Sequence, residues 1–195
     1  MPIKIIQPPT AEPVSLEEAK LHFRVDGDAD DALILSLLAA ARDSAELKTG
    51  RQLMPATLRY LLDCFPGKDG WPGGAGILIP KAPVQSILSI QYADQSGQLQ
   101  QISGTNYRLV GGDLPKIVPV PGFFWPSTEP RNYEAVTIEF VAGYADESQV
   151  PPTIKTWILM RAASMYAQRE GDAKNALNQV SFLDSLLDSH RVPAW

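Results

Sequence analysis

The hydrophobic period of this chain changes twice, and that double change limits the folds open to it more than any single motif does. From Leu16 to about Leu53 apolar residues recur at three-and-four spacing, from about Met54 to Tyr144 they alternate, and from Pro152 the three-and-four spacing returns. Side chains three and four apart share a helix face, whereas alternate residues share a strand face. The pattern therefore predicts an α+β fold. In chain order it has two helices, an antiparallel β-rich middle and two further helices. The segments are an N-terminal arm with two helices over 1–53, the insertion over 54–145, and C-terminal helices with a tail over 150–195.

Local signals fix the ends of these elements. Ser15 followed by Glu18 is a capping box, which satisfies amide donors at the start of a short first helix. In the second, Asp28 is the expected cap, and Ile34, Leu37, Leu38, Ala41 and Ala45 form the buried stripe. Lys48 suits the carbonyl end and Gly50 supplies a left-handed stop. "ATLRYLLDCF" sets Leu58, Tyr60, Leu62 and Cys64 on one side of a strand, which makes Cys64 a small core residue, and "EAVTIEFVAGY" does the same with Val136, Ile138 and Phe140. Between them "GILIP", "VQSILSIQYAD", "QLQQIS", "NYRLV" and "KIVPV" read as strands, with turn signals at Ser96-Gly97 and Gly111-Gly112. Pro151-Pro152 launches the third helix, with Ile154, Trp157, Ile158, Ala162, Met165 and Tyr166 on one face and Arg169 with Gly171 at its close. A last helix is expected from roughly Ser181 to His190.

Composition and charge narrow the function. With 195 residues, 45% of them hydrophobic, the chain can bury a core without covalent staples, and its single cysteine excludes an internal disulfide. "MPIKIIQPPT" lacks the plan of a signal peptide, so a reducing cytoplasm is expected. The run "ALILSLLAAA" is about half of the roughly 20 residues a bilayer crossing needs, so no membrane role is expected. The net charge of −5 resides in the stretch from Glu12 to Asp31, where seven acids meet Lys20 and Arg24. A chain without a basic stripe gains no counterion-release energy on DNA, which argues against a DNA-gripping role.

No catalytic set emerges from the motifs. "DGDADD" imitates the start of a calcium loop, but Asp31 stands where a glycine must turn and Leu37 where a bidentate glutamate is required. "GKDGWPGGAG" is followed by a strand, whereas a phosphate cradle needs a helix there. His22 and His190 sit on separate helices, and Glu17 and Glu18 are adjacent and splayed, so neither pair builds an acid-base site. No enzyme, cofactor or metal is expected. What stands out is apolar loop and arm material. "VPVPGFFWPSTEPRN" places Phe123, Phe124 and Trp125 between prolines, and either these rings fold back onto the sheet or a partner covers them. Trp71, Trp195 and the arm with Ile3, Ile5 and Ile6 raise the same question, and the arm can pair as an edge strand at home or reach a neighbour.

These residues carry a resemblance. "PVSLEEAKLHFRVDGDADDALILSLLAAARDSAELKTGRQL" resembles the opening of the head-tail connector (head completion or adaptor) proteins of long-tailed bacteriophages and prophages. "KIVPVPGFFWP" is similar to that family's strand with its Pro-Gly and Trp-Pro, "AVTIEFVAGY" to its last strand, "VPPTIKTWILMRAASMYAQRE" to its long helix, and "LLDSHRV" to its closing segment. The glycine-rich loop is longer than the family's and carries no inference.

The resemblance implies an α+β fold, a small helical bundle of about four helices with an antiparallel β-rich insertion between helices two and three, and a structural virion protein without catalysis or cofactor. Such a protein is made in the host cytoplasm and then stands in the virion neck as a homo-oligomeric ring, commonly twelvefold, between the portal protein and a tail or stopper protein. DNA would pass through without specific binding. Ile3, Ile5, Trp71, Phe123, Phe124, Trp125, Arg191 and Trp195 are then the candidate oligomer or partner contacts. Glu17, Glu18, Asp26, Asp28 and Asp30 are candidate channel-lining acids, since an acidic lumen repels DNA. The rival readings are another neck or tail-completion protein, and a carbohydrate-binding module or small hydrolase using the aromatic loop as a stacking platform, which Trp125→Ala would test.

Overall fold

A computed structural model of the chain describes residues 3–66, 76–128, 133–167 and 183–192. It divides into two compact units, one of Met1–Pro8 with Pro55–Gly143 and one of Pro9–Met54 with Tyr144–Trp195.

The second unit is helical. Helix α1 (Leu16–Phe23) begins at Ser15, whose Oγ accepts the Glu18 amide at 3.1 Å, as the capping box predicts. It ends at Arg24, a non-glycine residue in the left-handed region at φ 58°. Helix α2 (Asp31–Thr49) buries Ile34, Leu38, Ala41 and Ala45 and stops at Gly50 with φ 71°. Its N-cap is Asp30 rather than Asp28, and Asp30 makes no side-chain cap bond. The reason is that the Asp30 carboxylate is turned to accept the Tyr166 hydroxyl, while Asp28 contributes its carbonyl to the Asp31 amide. Helix α3 (Pro152–Ala167) starts at the second proline, as expected, and buries Ile154, Trp157, Ile158 and Ala162, with Met165 and Tyr166 partly covered. A fourth helical segment covers 183–188. The expected helix end at Arg169 and Gly171 lies outside the described residues. These helices close on one core centred on Leu38, Leu53, Ile154, Trp157 and Leu187.

The other unit is antiparallel β. Strands β1 (Ile3–Gln7), β2 (Ala56–Leu62), β4 (Val84–Ala93), β5 (Leu99–Gln101) and β8 (Val136–Ala142) form a five-stranded sheet in the order β1-β2-β8-β4-β5. Strands β3 (Ile77–Leu78), β6 (Tyr107–Val110) and β7 (Lys116–Pro119) form a three-stranded sheet in the order β3-β7-β6. Leu58 opposes Phe140 and Tyr60 opposes Ile138, so the buried faces of β2 and β8 coincide. In β4, Ile87 and Ile90 have opposite parity, and the irregularity between Ile87 and Ser89 lets them oppose Phe140 and Ile138 respectively. Both sheets contribute to one core, with Ile77, Ile79 and Ile117 beside Leu58, Ile90 and Phe140.

Cys64 departs from the expectation of a core residue and is exposed. β2 ends at Leu62, and Asp63 leaves the strand to accept the Glu134 amide through its carboxylate at 2.9 Å. The alternation that would have turned Cys64 inward has stopped before it.

Candidate functional site

In the β unit the aromatic loop resolves into a base and a tip. Phe65 and Trp125 stack with their centroids 5.1 Å apart and planes 4° from parallel, and Phe123 meets Trp125 edge-on at 5.9 Å. Phe123 and Trp125 therefore fold back onto the core, while Phe124 between them points outward and is 64% exposed. The turn that presents them uses Gly122 at φ 86° and a bond from the Phe123 amide to the Val120 carbonyl. One face of Trp125 is occupied by Phe65 and so is not open to a stacked ligand.

The N-terminal arm pairs at home. β1 lies antiparallel to β2, with Ile3 opposite Tyr60 and Ile5 opposite Leu58. Ile3 packs on the core, whereas Ile5 is 60% exposed and Ile6 is exposed beside it, so the outer strand of the sheet carries uncovered apolar surface. Trp71 and Trp195 lie outside the described residues.

In the helical unit the predicted acids separate. Glu17 and Glu18 stand exposed in the first turn of α1, and Asp26 and Asp28 are exposed in the turn between α1 and α2. Asp30 is half-buried against Tyr166, and Asp31 pairs with Lys20 at 2.7 Å. Arg191 is exposed and pairs with Asp188 at 3.2 Å.

Two arrangements in the helical unit escape a reading of the sequence alone. The first is a buried polar network at the end of α2. The Glu46 carboxylate accepts from Gln52 Nε2 at 2.8 Å, from the Leu53 amide at 2.9 Å and from Arg42 at 3.3 Å. Burial works against the Arg42 charge, but bonding to Glu12 and the fields of Glu46, Glu12 and Asp43 outweigh it and hold its pKa above the usual value. The only signal in the sequence is the four-residue spacing of Arg42 and Glu46. The second is a notch of about 100 Å³ lined by Ser44, Lys48, Trp157, Arg161, Leu183 and Asp184. The legible hint is that α3 carries two cations, Lys155 and Arg161, and no acid.

Among the described residues, no group of three or more His, Cys, Asp or Glu side chains is placed to hold a metal ion, and no helix is long and apolar enough to cross a membrane. The described groups that stand out are apolar and ionic surfaces carried on two packed cores, the equipment of a protein that works by assembly. The comparisons agree with that class. Residues 13–108 match the phage gp6-like head-tail connector protein family. No curated protein matches the sequence. Among the solved structures with chains of similar fold are three of gene transfer agent particles. The neck of an empty gene transfer agent particle computed with C6 symmetry gives a TM-score of 0.79 at 24% identity. The virion of a native gene transfer agent particle gives 0.77 at 24%. The neck of a native particle computed with C12 symmetry gives 0.72 at 22%. Each alignment covers 100% of this chain and 97% of the other. The chain belongs to the phage gp6-like head-tail connector family, a family of structural connectors and not of enzymes.

Proposed function

We propose that copies of this chain close into a ring, twelvefold in the particle, that stands in the virion neck between the portal protein and a tail or stopper protein. The observation that carries this reading is the likeness in fold, over the whole chain, to chains of neck structures computed with C6 and C12 symmetry. A ring needs a head-to-tail interface in which one patch meets a different patch on the next copy. The exposed Ile5 and Ile6 of the outer strand, the Phe124 tip and the C-terminal segment with Arg191 are the surfaces offered for such contacts and for portal and tail. Glu17 and Glu18 are offered to the channel, where like charge keeps packaged DNA from adhering. On this reading the protein accumulates in the host cytoplasm during assembly before it joins the neck.

The test pairs light scattering of the purified chain with electron microscopy of particles made with and without it. The expected result is a ring at the neck, formed in solution or on purified portal, and leaking heads when the chain is depleted. A chain that stays monomeric in solution and also fails to ring on portal would overturn the reading.

A further inference from the structure

We infer that the notch at the C-terminal end of α2 is a socket for Asp26 and Asp28 of a second copy of this chain. This inference rests on the ring reading above and names one of its contacts. Within the notch, Asp184 is already served, since Lys48 Nζ reaches it at 2.7 Å and the Trp157 indole N–H at 3.3 Å. Arg161 also lines the notch, and among the described residues its guanidinium has no hydrogen-bond or ion-pair partner. Lys48 and Asp184 neutralise one another, so among the described residues no charge compensates Arg161 above the buried Trp157 and Leu183. A guanidinium beside apolar walls, in a space of about 100 Å³, fits a carboxylate side chain, which it can take through two parallel N–H donors.

The matching carboxylates are on the same unit at the other end of the same helix. Asp26 and Asp28 flank Gly27 in the turn before α2, and a Cβ built on Gly27 meets nothing within 4 Å, so the turn projects into open space. The first α2 residue of the notch is Ser44, thirteen residues beyond Asp31, which at about 1.5 Å of rise per residue sets the notch roughly 20 Å from the turn. One copy therefore does not join its own turn to its own notch, and on the ring reading the contact between copies runs head-to-tail, as closure requires. Glu17 and Glu18, roughly 12 Å away along α1 at the same rise per residue, remain free for the channel.

The experiment is a charge exchange on the full chain, read by light scattering and by ring formation on purified portal, with the melting temperature followed in parallel. Asp26→Lys with Asp28→Lys touches an exposed turn and should leave the melting temperature unchanged while weakening self-association by about tenfold or more. Arg161→Glu should weaken it similarly, and the three changes combined should restore it. Raising salt should weaken the wild-type contact and leave little for the variants to lose. If the wild-type chain rings and the lysine variant rings equally well, or the triple variant shows no recovery, the socket is wrong while the ring reading stands. Assembly that stops at a twofold dimer would also overturn it. A wild-type chain that never rings brings down the ring reading itself.

Discussion

Val192 donates its backbone amide to the carbonyl of Thr49 at 2.8 Å, so the closing segment of the chain satisfies a carbonyl that the end of α2 would otherwise leave open. Beside it, Arg51 donates from Nε to the His190 carbonyl at 2.6 Å, and a Cβ on Gly50 would lie 3.5 Å from that of Val192. Gly50→Ala has room for its methyl, and its cost comes from the left-handed backbone at φ 71°. We expect a loss of about 1–2 kcal/mol in urea unfolding, with Gly50→Asn recovering part of it.

The Glu46 carboxylate holds the chain as it leaves α2, through Gln52 and the Leu53 amide, and it faces the buried Arg42. Glu46→Ala leaves the Gln52 and Leu53 donors without their acceptor, while Arg42 keeps Glu12 and Asp43, and should cost about 2–3 kcal/mol. Glu46→Gln keeps an acceptor oxygen and should cost clearly less. Equal losses for the two variants would show that the charge of Glu46, rather than its hydrogen bonding, carries the effect.

Asp94 organises the turn between β4 and β5. Its Oδ1 accepts from the Ser96 hydroxyl and amide and from the Gln98 amide, and its Oδ2 accepts from Gln100. The bonds from Ser96, Gln100 and Gln98 hold its carboxyl down at about 2, against an ordinary 3.8. A depressed folded value means the stabilisation is complete above pH 3.8 and is lost as pH falls through about 2. NMR titration should place the Asp94 midpoint near that lower value, and Asp94→Asn should abolish the pH dependence of amide protection at Gln98. A midpoint at the ordinary carboxylate value would refute the prediction.

Neighbouring rings in the aromatic loop should respond differently to removal. Trp125→Ala opens the stack on Phe65 and should cost about 2–4 kcal/mol of stability. Phe124→Ala removes an outward ring and should leave the unfolding midpoint within about 0.5 kcal/mol of wild type, while weakening attachment in a particle assembly assay. A large stability loss from Phe124→Ala would show the tip to be packed at home.

The periods of the sequence carried the architecture because burial acts on every residue of an element. The alternation of Val136, Ile138 and Phe140 and the stripe of Ile34, Leu38, Ala41 and Ala45 appear in the structure as buried faces. At Cys64 the period ceases to report burial, since the alternation of residue types continues past Leu62 while Asp63 takes the backbone out of the strand. Asp28 shows the same limit at a helix end. Its neighbour Asp30 is the cap, and the side chain that claims Asp30, Tyr166, is far away in sequence. The notch was illegible for a related reason: Lys48, Arg161 and Asp184 come from three elements whose meeting depends on tertiary packing. For the aromatic loop, the residues posed a choice between packing at home and waiting for a partner. The structure divides it, with Phe123 and Trp125 inward and Phe124 outward.

The Tyr144 amide donates to the Leu53 carbonyl at 3.2 Å, so the residues at which the chain leaves and re-enters the helical unit are tied together by one backbone bond. Whatever is threaded between them has both its ends fixed there, and the entropy of a loop closed at such a point grows only slowly with its length. The β unit is thus a cassette, whose length can change at little cost in closure entropy. It has one accessory outside its own limits: β1, which precedes the helices yet pairs on β2, so a transplanted cassette must bring Ile3–Gln7 with it or arrive with a bare edge.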